Sequence, residues 1–360
     1  MAPSADTNSS PHNCPRRILL VSVPRTASNL LVRVLNVHNQ PNVLTNELAG
    51  YFFLKPFLMS SREFKKSPHE WTAAERALVR EAYQNALGAL EDLAARAERE
   101  GKTFFIKEHA TVIVNPDVAD PPRDAGHKPE LDFFRLPLPE RYRSSSSSSN
   151  GAAAAAAGTF SPNNHTILPD EYLATWRIVF VIRHPALAWP SIYRTLHQLV
   201  ERGLLEEKVL RVDGGSSMSL KWTRAMFDWC VERSQAEGDF PPPVIIDAHE
   251  VIHSPGAVLQ FCQAAGLDPA ALQFEWPTED ARPKKSEETA VDEESRRIFL
   301  GTLMASKGLI KDKTPATVDV EAEEVKWRAE FGDEAAKMIA EKVRDSMPDY
   351  EYLRARCVLG

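Results

Sequence analysis

The sequence predicts an α/β fold: a central parallel sheet flanked on both faces by helices, in three layers. Short apolar runs rich in Ile, Val and Leu recur along the chain, and stretches with helical apolar spacing alternate with them. Apolar and charged contents are those of an ordinary globular protein, and 360 residues suffice for one large α/β domain. Residues 16–360 are therefore expected to form a single domain. Residues 1–15, polar and rich in Pro and Ser, are expected to be a disordered tail.

The elements follow in order. Ile18-Leu19-Leu20-Val21-Ser22-Val23 reads as a buried strand, and Leu30-Leu31-Val32-Arg33-Val34-Leu35 as the helix after it. Asn42-Val43-Leu44-Thr45 is a short extended piece. Thr72-Ala73-Ala74-Glu75 has the spacing of a capping box and opens a long helix. Val79, Tyr83, Ala86, Leu90 and Leu93 line one face of it, and Gly101 ends it. Thr103-Phe104-Phe105-Ile106 is the second clear strand. From residue 115 to 170 the chain is rich in Pro, Ser and Ala, with runs of serine at 144–149 and alanine at 152–157. This composition reads as a low-complexity insertion lying mostly outside the core. Arg177-Ile178-Val179-Phe180-Val181-Ile182 is the third strand, with a helix after it from about Pro185 to Arg202. Pro190 inside that helix is expected to kink it or delay its start. Val244-Ile245-Ile246 is the fourth strand, and Pro255 to Ala265 a helix closed by Gly266. The last third is helical and charged, with apolar spacing at Trp327, Phe331, Ala335 and Ile339.

Composition narrows the function. A net charge of −7 argues against broad nucleic-acid binding, although a few local cations suffice for an anionic ligand. Cys14, Cys230, Cys262 and Cys357 form no CxxC pair, so neither a zinc site nor a disulfide framework is expected, and no metal. The N-terminus has no apolar core of a secretory signal, and no run of about 18 apolar residues is present. No membrane insertion and a cytoplasmic location are expected.

Pro24-Arg25-Thr26-Ala27-Ser28-Asn29 lies between the first strand and its helix. A helix start gathers unpaired N–H groups and the positive end of the dipole, which suits an anion. The loop adds a cation and small polar side chains. It has neither the glycines nor the lysine of a GxxxxGK(S/T) loop, which argues against hydrolysis of a Mg²⁺-bound nucleoside triphosphate. Taken alone it could equally be a turn with an exposed arginine.

Three motifs in order sharpen this. Pro24-Arg25-Thr26-Ala27-Ser28-Asn29-Leu30-Leu31 resembles the 5′-phosphosulfate loop of sulfotransferases, P-K/R-S/T-G-S/T-T-x-L. Ile106-Lys107-Glu108-His109 resembles the K-x-H segment of cytosolic sulfotransferases. Arg183-His184-Pro185, with Ser191 eight residues after the arginine, resembles that family's 3′-phosphate motif, R-N/D-P-x₅-S. Val244-Ile245-Ile246-Asp247, leading through Pro255 to Gly266-Leu267, is similar to the family's fourth core strand and helix, so the resemblance spans roughly residues 16–275. Ala27 stands where the family has glycine, Asn29 where it has threonine, and Ser306-Lys307-Gly308 only echoes its Arg-Lys-Gly segment.

The resemblance implies a P-loop-type fold and a donor, 3′-phosphoadenosine-5′-phosphosulfate (PAPS), with a small-molecule hydroxyl as acceptor. It assigns Arg25, Thr26, Ala27, Ser28 and Asn29 to the 5′-phosphate, and Arg183 and Ser191 to the 3′-phosphate. Lys107 would neutralise the bridging oxygen, and His109 would be the base. Glu47, in Asn46-Glu47-Leu48-Ala49-Gly50-Tyr51-Phe52-Phe53, resembles the E-x-x-F-F carboxylate base of glycan sulfotransferases. Bland readings stand beside these: a core histidine at 109, a solvated strand end at Lys107, a helix-cap carboxylate at Glu47. His184 is expected to flank the phosphate site, and Trp189, Trp222, Tyr193 and Phe227 to be packing. The competing function is a non-catalytic nucleotide-binding or scaffold protein on the same fold.

Overall fold

The computed structural model describes residues 17–60, 67–120, 130–143, 158–210, 217–278 and 290–358. The tail at 1–15 lies outside them. Among the described residues five strands form one sheet: β1 (Arg17–Ser22), β2 (Val43–Leu44), β3 (Thr103–His109), β4 (Arg177–Ile182) and β5 (Val244–Asp247). Their order is β2-β3-β1-β4-β5, and every pairing is parallel. All side chains of β1 and β4 are buried, which is why both read as unbroken apolar runs rather than alternating ones.

The principal helices are α1 (Ser28–Val34), α2 (Ala73–Arg99), α3 (Pro185–Glu201), α4 (Lys221–Ala236), α5 (Pro255–Ala265), α6 (Ala290–Ala305), α7 (Val320–Phe331) and α8 (Asp333–Arg354). One sheet face, with Leu19, Phe104, Ile106 and Phe180, packs with residues of α2, α3, α4 and α8. The other, with Ile18, Leu20, Phe105 and Val179, packs with residues of α1 and α5. The three-layer α/β architecture is thus present. Among the described residues no helix is long and apolar enough to cross a membrane.

Local chemistry sets the boundaries. Thr72 Oγ1 accepts from Glu75 N at 3.3 Å and Glu75 Oε2 accepts from Thr72 N at 2.7 Å, so the capping box opens α2. Gly266, at φ 81, closes α5 in the left-handed conformation. Pro190 does not delay α3. The helix begins at Pro185, where a missing N–H is harmless, and continues through Pro190. Trp189, Tyr193 and Phe227 are core residues, as expected. Val358 N donates to Ile245 O at 2.9 Å, along the outer side of β5.

One expectation needs correction. The serine and alanine runs lie outside the described residues, but other parts of 115–170 are core. Phe134, Leu136, Leu138, Ile167 and Leu168 are buried. Leu136 N donates to Ile167 O at 2.8 Å, and Ile167 N to Ile113 O at 2.9 Å. Isolated backbone bonds hold this segment, and such a segment has no period to detect.

After β2 the chain meets β3 again, still parallel to it, at Gly50 and Lys107. Lys107 N donates to Ala49 O at 2.6 Å and Tyr51 N to Lys107 O at 3.1 Å. Gly50 sits between them at φ 145, and a Cβ there would lie 1.9 Å from Lys107 O. Gly50→Ala is expected to lower stability by about 3 kcal/mol or more. Gly101→Ala, at φ 65 with open space around it, should lose only about 1 kcal/mol. Urea midpoints of the two variants check the contrast.

Candidate active site

The residues singled out in the sequence gather where β1, β3 and β4 end, at the carboxyl edge of the sheet, where open α/β folds form their crevices. The loop after β1 holds two left-handed residues, Arg25 at φ 67 and Ala27 at φ 64. Ala27 is the N-cap of α1 and offers no side-chain cap. A glycine would take this conformation freely, whereas alanine pays about 1–2 kcal/mol. Thr26 is fully buried, and its hydroxyl donates to Val23 O at 2.8 Å. That side chain closes the loop on itself. Ser28 is also buried.

Arg25 joins several elements. Its Nε donates to Ser191 Oγ on α3 at 2.9 Å, and its Nη1 to Phe299 O on α6 at 2.6 Å. Arg183, just past β4, donates through Nη1 to Arg25 O at 3.2 Å. Two guanidiniums and a serine from distant segments therefore meet at one loop. Burial, and then the Arg25 charge, push Arg183 down to about 10, with Asp247 opposing. Burial and Arg194 also lower Arg25. His184 caps α3 by accepting from Ala186 N at 3.2 Å, and its ring meets Tyr350 edge-on. Burial pushes it down to about 4.

A second group lies beside the first. Lys107 has no exposed surface, because it sits on the middle strands with α1 over its face. Its Nζ donates to Asn29 Oδ1, and to Tyr51 Oη at 2.9 Å. The Tyr51 hydroxyl also meets His109 Nε2 at 3.2 Å, and Ser22 Oγ meets His109 Nδ1 at 2.9 Å. Ser22 and His109 are direct partners in the β1–β3 register. Glu108 points to the other face, where its Oε1 accepts from Phe52 N at 2.6 Å and anchors the turn after Tyr51. Burial pushes Lys107 down to about 7 and Glu108 up to about 8. Burial, and then the Lys107 charge, hold His109 well below the usual imidazole value, so it is neutral at neutral pH.

The structure thus brings together Arg25, Arg183 and Ser191, and separately Asn29, Lys107 and His109. It does not bury Glu47 with them. Glu47 is exposed, and its main-chain carbonyl meets His38 Nε2 at 3.0 Å. Ser306-Lys307-Gly308 runs beside Trp276, whose N donates to Lys307 O at 3.1 Å. Sequence reasoning missed Tyr51 and Ser22. Ser22 was legible only through the strand register, and Tyr51 only through its seat after Gly50. Among the described residues, no group of three or more His, Cys, Asp or Glu side chains is placed to hold a metal.

Sulfotransferase ppzF of Metarhizium rileyi is 34% identical to this chain over 350 residues, covering 95% of this chain and 96% of its own. The chain belongs to the sulfotransferase family. Its relative of the same name in Metarhizium majus is 33% identical over 352 residues, again covering 95% and 96%. No family model matches the sequence. Among solved structures, the sulfotransferase domain of a Synechococcus olefin synthase covers 90% of this chain and 97% of its own at 13% identity. Its TM-score of 0.31 is too low to carry an argument. Sulfuryl transfer is therefore the chemistry to which this sulfotransferase site must be fitted.

Ala27→Gly tests the strain in the loop. It should raise stability by up to about 1 kcal/mol, the left-handed penalty of alanine less the extra chain entropy of glycine. A lower urea midpoint would show that the methyl group packs instead of straining.

Proposed function

We propose that this sulfotransferase moves a sulfuryl group from PAPS to a hydroxyl of a small molecule. The observation that carries the reading is the Arg25–Arg183 pair. Burial lowers the proton affinity of both largely buried guanidiniums, and the Arg25 charge lowers that of Arg183 further; Arg25 bonds Ser191, and Arg183 bonds the Arg25 carbonyl in the loop before α1. A bound polyanion would relieve exactly that electrostatic penalty. The residues present fit the donor's two phosphate ends. Arg25, Ser28, Asn29 and the loop backbone through Thr26 and Ala27 would hold the 5′ end, while Arg183 and Ser191 would hold the 3′-phosphate.

PAPS supplies the activated sulfuryl group. Sulfuryl transfer resembles phosphoryl transfer in its loose in-line transition state, so positioning and charge stabilisation carry most of the catalysis. Lys107 would place its ammonium against charge that develops on the departing oxygen. His109 is neutral and buried, as a base must be before it takes a proton. Glu47, exposed at its turn, is the weaker candidate for that role. A scaffold without activity would need neither a buried lysine nor a neutral histidine at one strand end.

Differential scanning separates these readings. The desulfated donor, 3′-phosphoadenosine-5′-phosphate, should raise Tm well above the shift given by ATP at equal concentration. Equal shifts would remove the donor assignment. Arg183→Ala should weaken binding of that bisphosphate by roughly 10- to 100-fold. His109→Ala should keep its binding and lower turnover by roughly 10²- to 10⁴-fold; an unaffected rate would move the base elsewhere.

Lys107 gives a pH signature. In the empty site it titrates near 7, so at pH 8 it is mostly neutral. An anion bound beside it favours the ammonium and raises its pKa, so binding at pH 8 should take up a proton. Calorimetry in two buffers of different ionisation enthalpy reads this uptake, and Lys107→Met should abolish it.

A further inference from the structure

We propose that Tyr51 is a catalytic residue that receives the acceptor's proton and passes its own to His109. The proposal rests on the reading of His109 as the base. It is carried by the direction of the hydrogen bonds. With an anion bound beside it Lys107 is an ammonium, which can only donate, so at 2.9 Å the Tyr51 oxygen accepts from it. The phenol proton is then directed to His109 Nε2, 3.2 Å away, which must be the unprotonated nitrogen. His109 Nδ1 carries the ring proton and donates to Ser22 Oγ at 2.9 Å, and Ser22 donates on to Glu108 O at 3.4 Å. One polarity runs through the whole chain of groups. It leaves the Tyr51 oxygen one lone pair, which the Asn29 side chain also bonds, and an acceptor O–H can take that lone pair in place of Asn29.

Both ring nitrogens of His109 already have partners, so an acceptor approaching Nε2 meets the Tyr51 hydroxyl first. Tyr51 is also poorly placed to swing aside. Its N–H is bonded to Lys107 O at 3.1 Å, and Gly50 before it is wedged against the same carbonyl. Its ring stands edge-on to His109 with centroids 5.2 Å apart, and Lys107 Nζ lies 4.1 Å from the ring centre. The backbone is held at φ 63, a conformation an aromatic residue keeps only when its surroundings enforce it. A fixed hydroxyl between acceptor and base is a relay and not a gate.

The step balances. The acceptor oxygen forms its bond to sulfur while its proton moves to the Tyr51 oxygen and the phenol proton moves to His109 Nε2. The sulfur–oxygen bond to the donor breaks, and its electron pair stays on the donor's phosphate oxygen. Tyr51 ends as it began, and His109 ends as imidazolium, to lose its proton to water. Burial and the nearby Glu108 charge raise the Tyr51 phenol above its ordinary value, so it holds a proton to give across the neutral range.

Water serves as acceptor in the test, with release of 3′-phosphoadenosine-5′-phosphate from PAPS as the rate. Tyr51→Phe keeps the ring and removes the hydroxyl. It should lower the rate 100-fold or more, while the bisphosphate still raises Tm as in the wild type. His109→Ala should lower the rate similarly, and the double variant no further, because both residues serve one proton path. 3-Fluorotyrosine at position 51, which preserves packing and acidifies the phenol, should shift the alkaline limb of the rate profile downward. A Tyr51→Phe rate within twofold of wild type, losses that multiply in the double variant, an alkaline limb that does not move, or a wild type that binds the bisphosphate but releases none overturns the relay. Failure of the bisphosphate to raise Tm overturns the donor reading itself, and so separates the two.

Discussion

The burial of Lys107 is the constraint on which the rest of the site depends. An ammonium without exposed surface is expensive unless its protons are matched by acceptors. Asn29 from α1 and Tyr51 from the turn after β2 supply them. The same residue's main chain is bonded on both sides by Ala49 and Tyr51. One lysine therefore ties the loop after β1 and the turn after β2 to the end of β3.

The parts of the fold with a period were legible in the sequence. The β4 run and the helix from Pro255 to Ala265 have the bounds expected, and the Thr72–Glu75 box opens α2 as its spacing says. β3 runs past its apolar part, Thr103–Ile106, through Lys107, Glu108 and His109, which are charged or polar. They remain in the strand because the β1 pairing continues to Ser22 and His109. The irregular stretch around Phe134 and Ile167 was read as peripheral, since its place in the core comes from long-range backbone bonds with no local signal.

The site divides in the same way. Arg183 and Ser191 were legible through their resemblance to the family's R-N/D-P-x₅-S motif, and Lys107 and His109 through its K-x-H segment, whose alternate residues share a face of the strand. The type of Thr26 suits a phosphate, and what its sequence does not display is the bond its hydroxyl makes to the Val23 carbonyl within the loop. Tyr51 escaped notice because a tyrosine in an apolar stretch looks like core. What distinguishes it is a left-handed backbone set by a neighbour 56 residues away, and sequence order does not display that relation.

The short contact between Val358 and Ile245 has a bearing on how the molecule behaves among its own copies. A sheet is vulnerable where an outer strand offers free amides and carbonyls to another chain. One border of this sheet is β2, only two residues long. The other is β5, where the Val358 amide already occupies the Ile245 carbonyl. Neither border presents a long, flat ladder, so strand addition between molecules finds little to template on. A fusion or deletion that draws Val358 away would open the β5 border, and its first symptom would be self-association instead of lost chemistry.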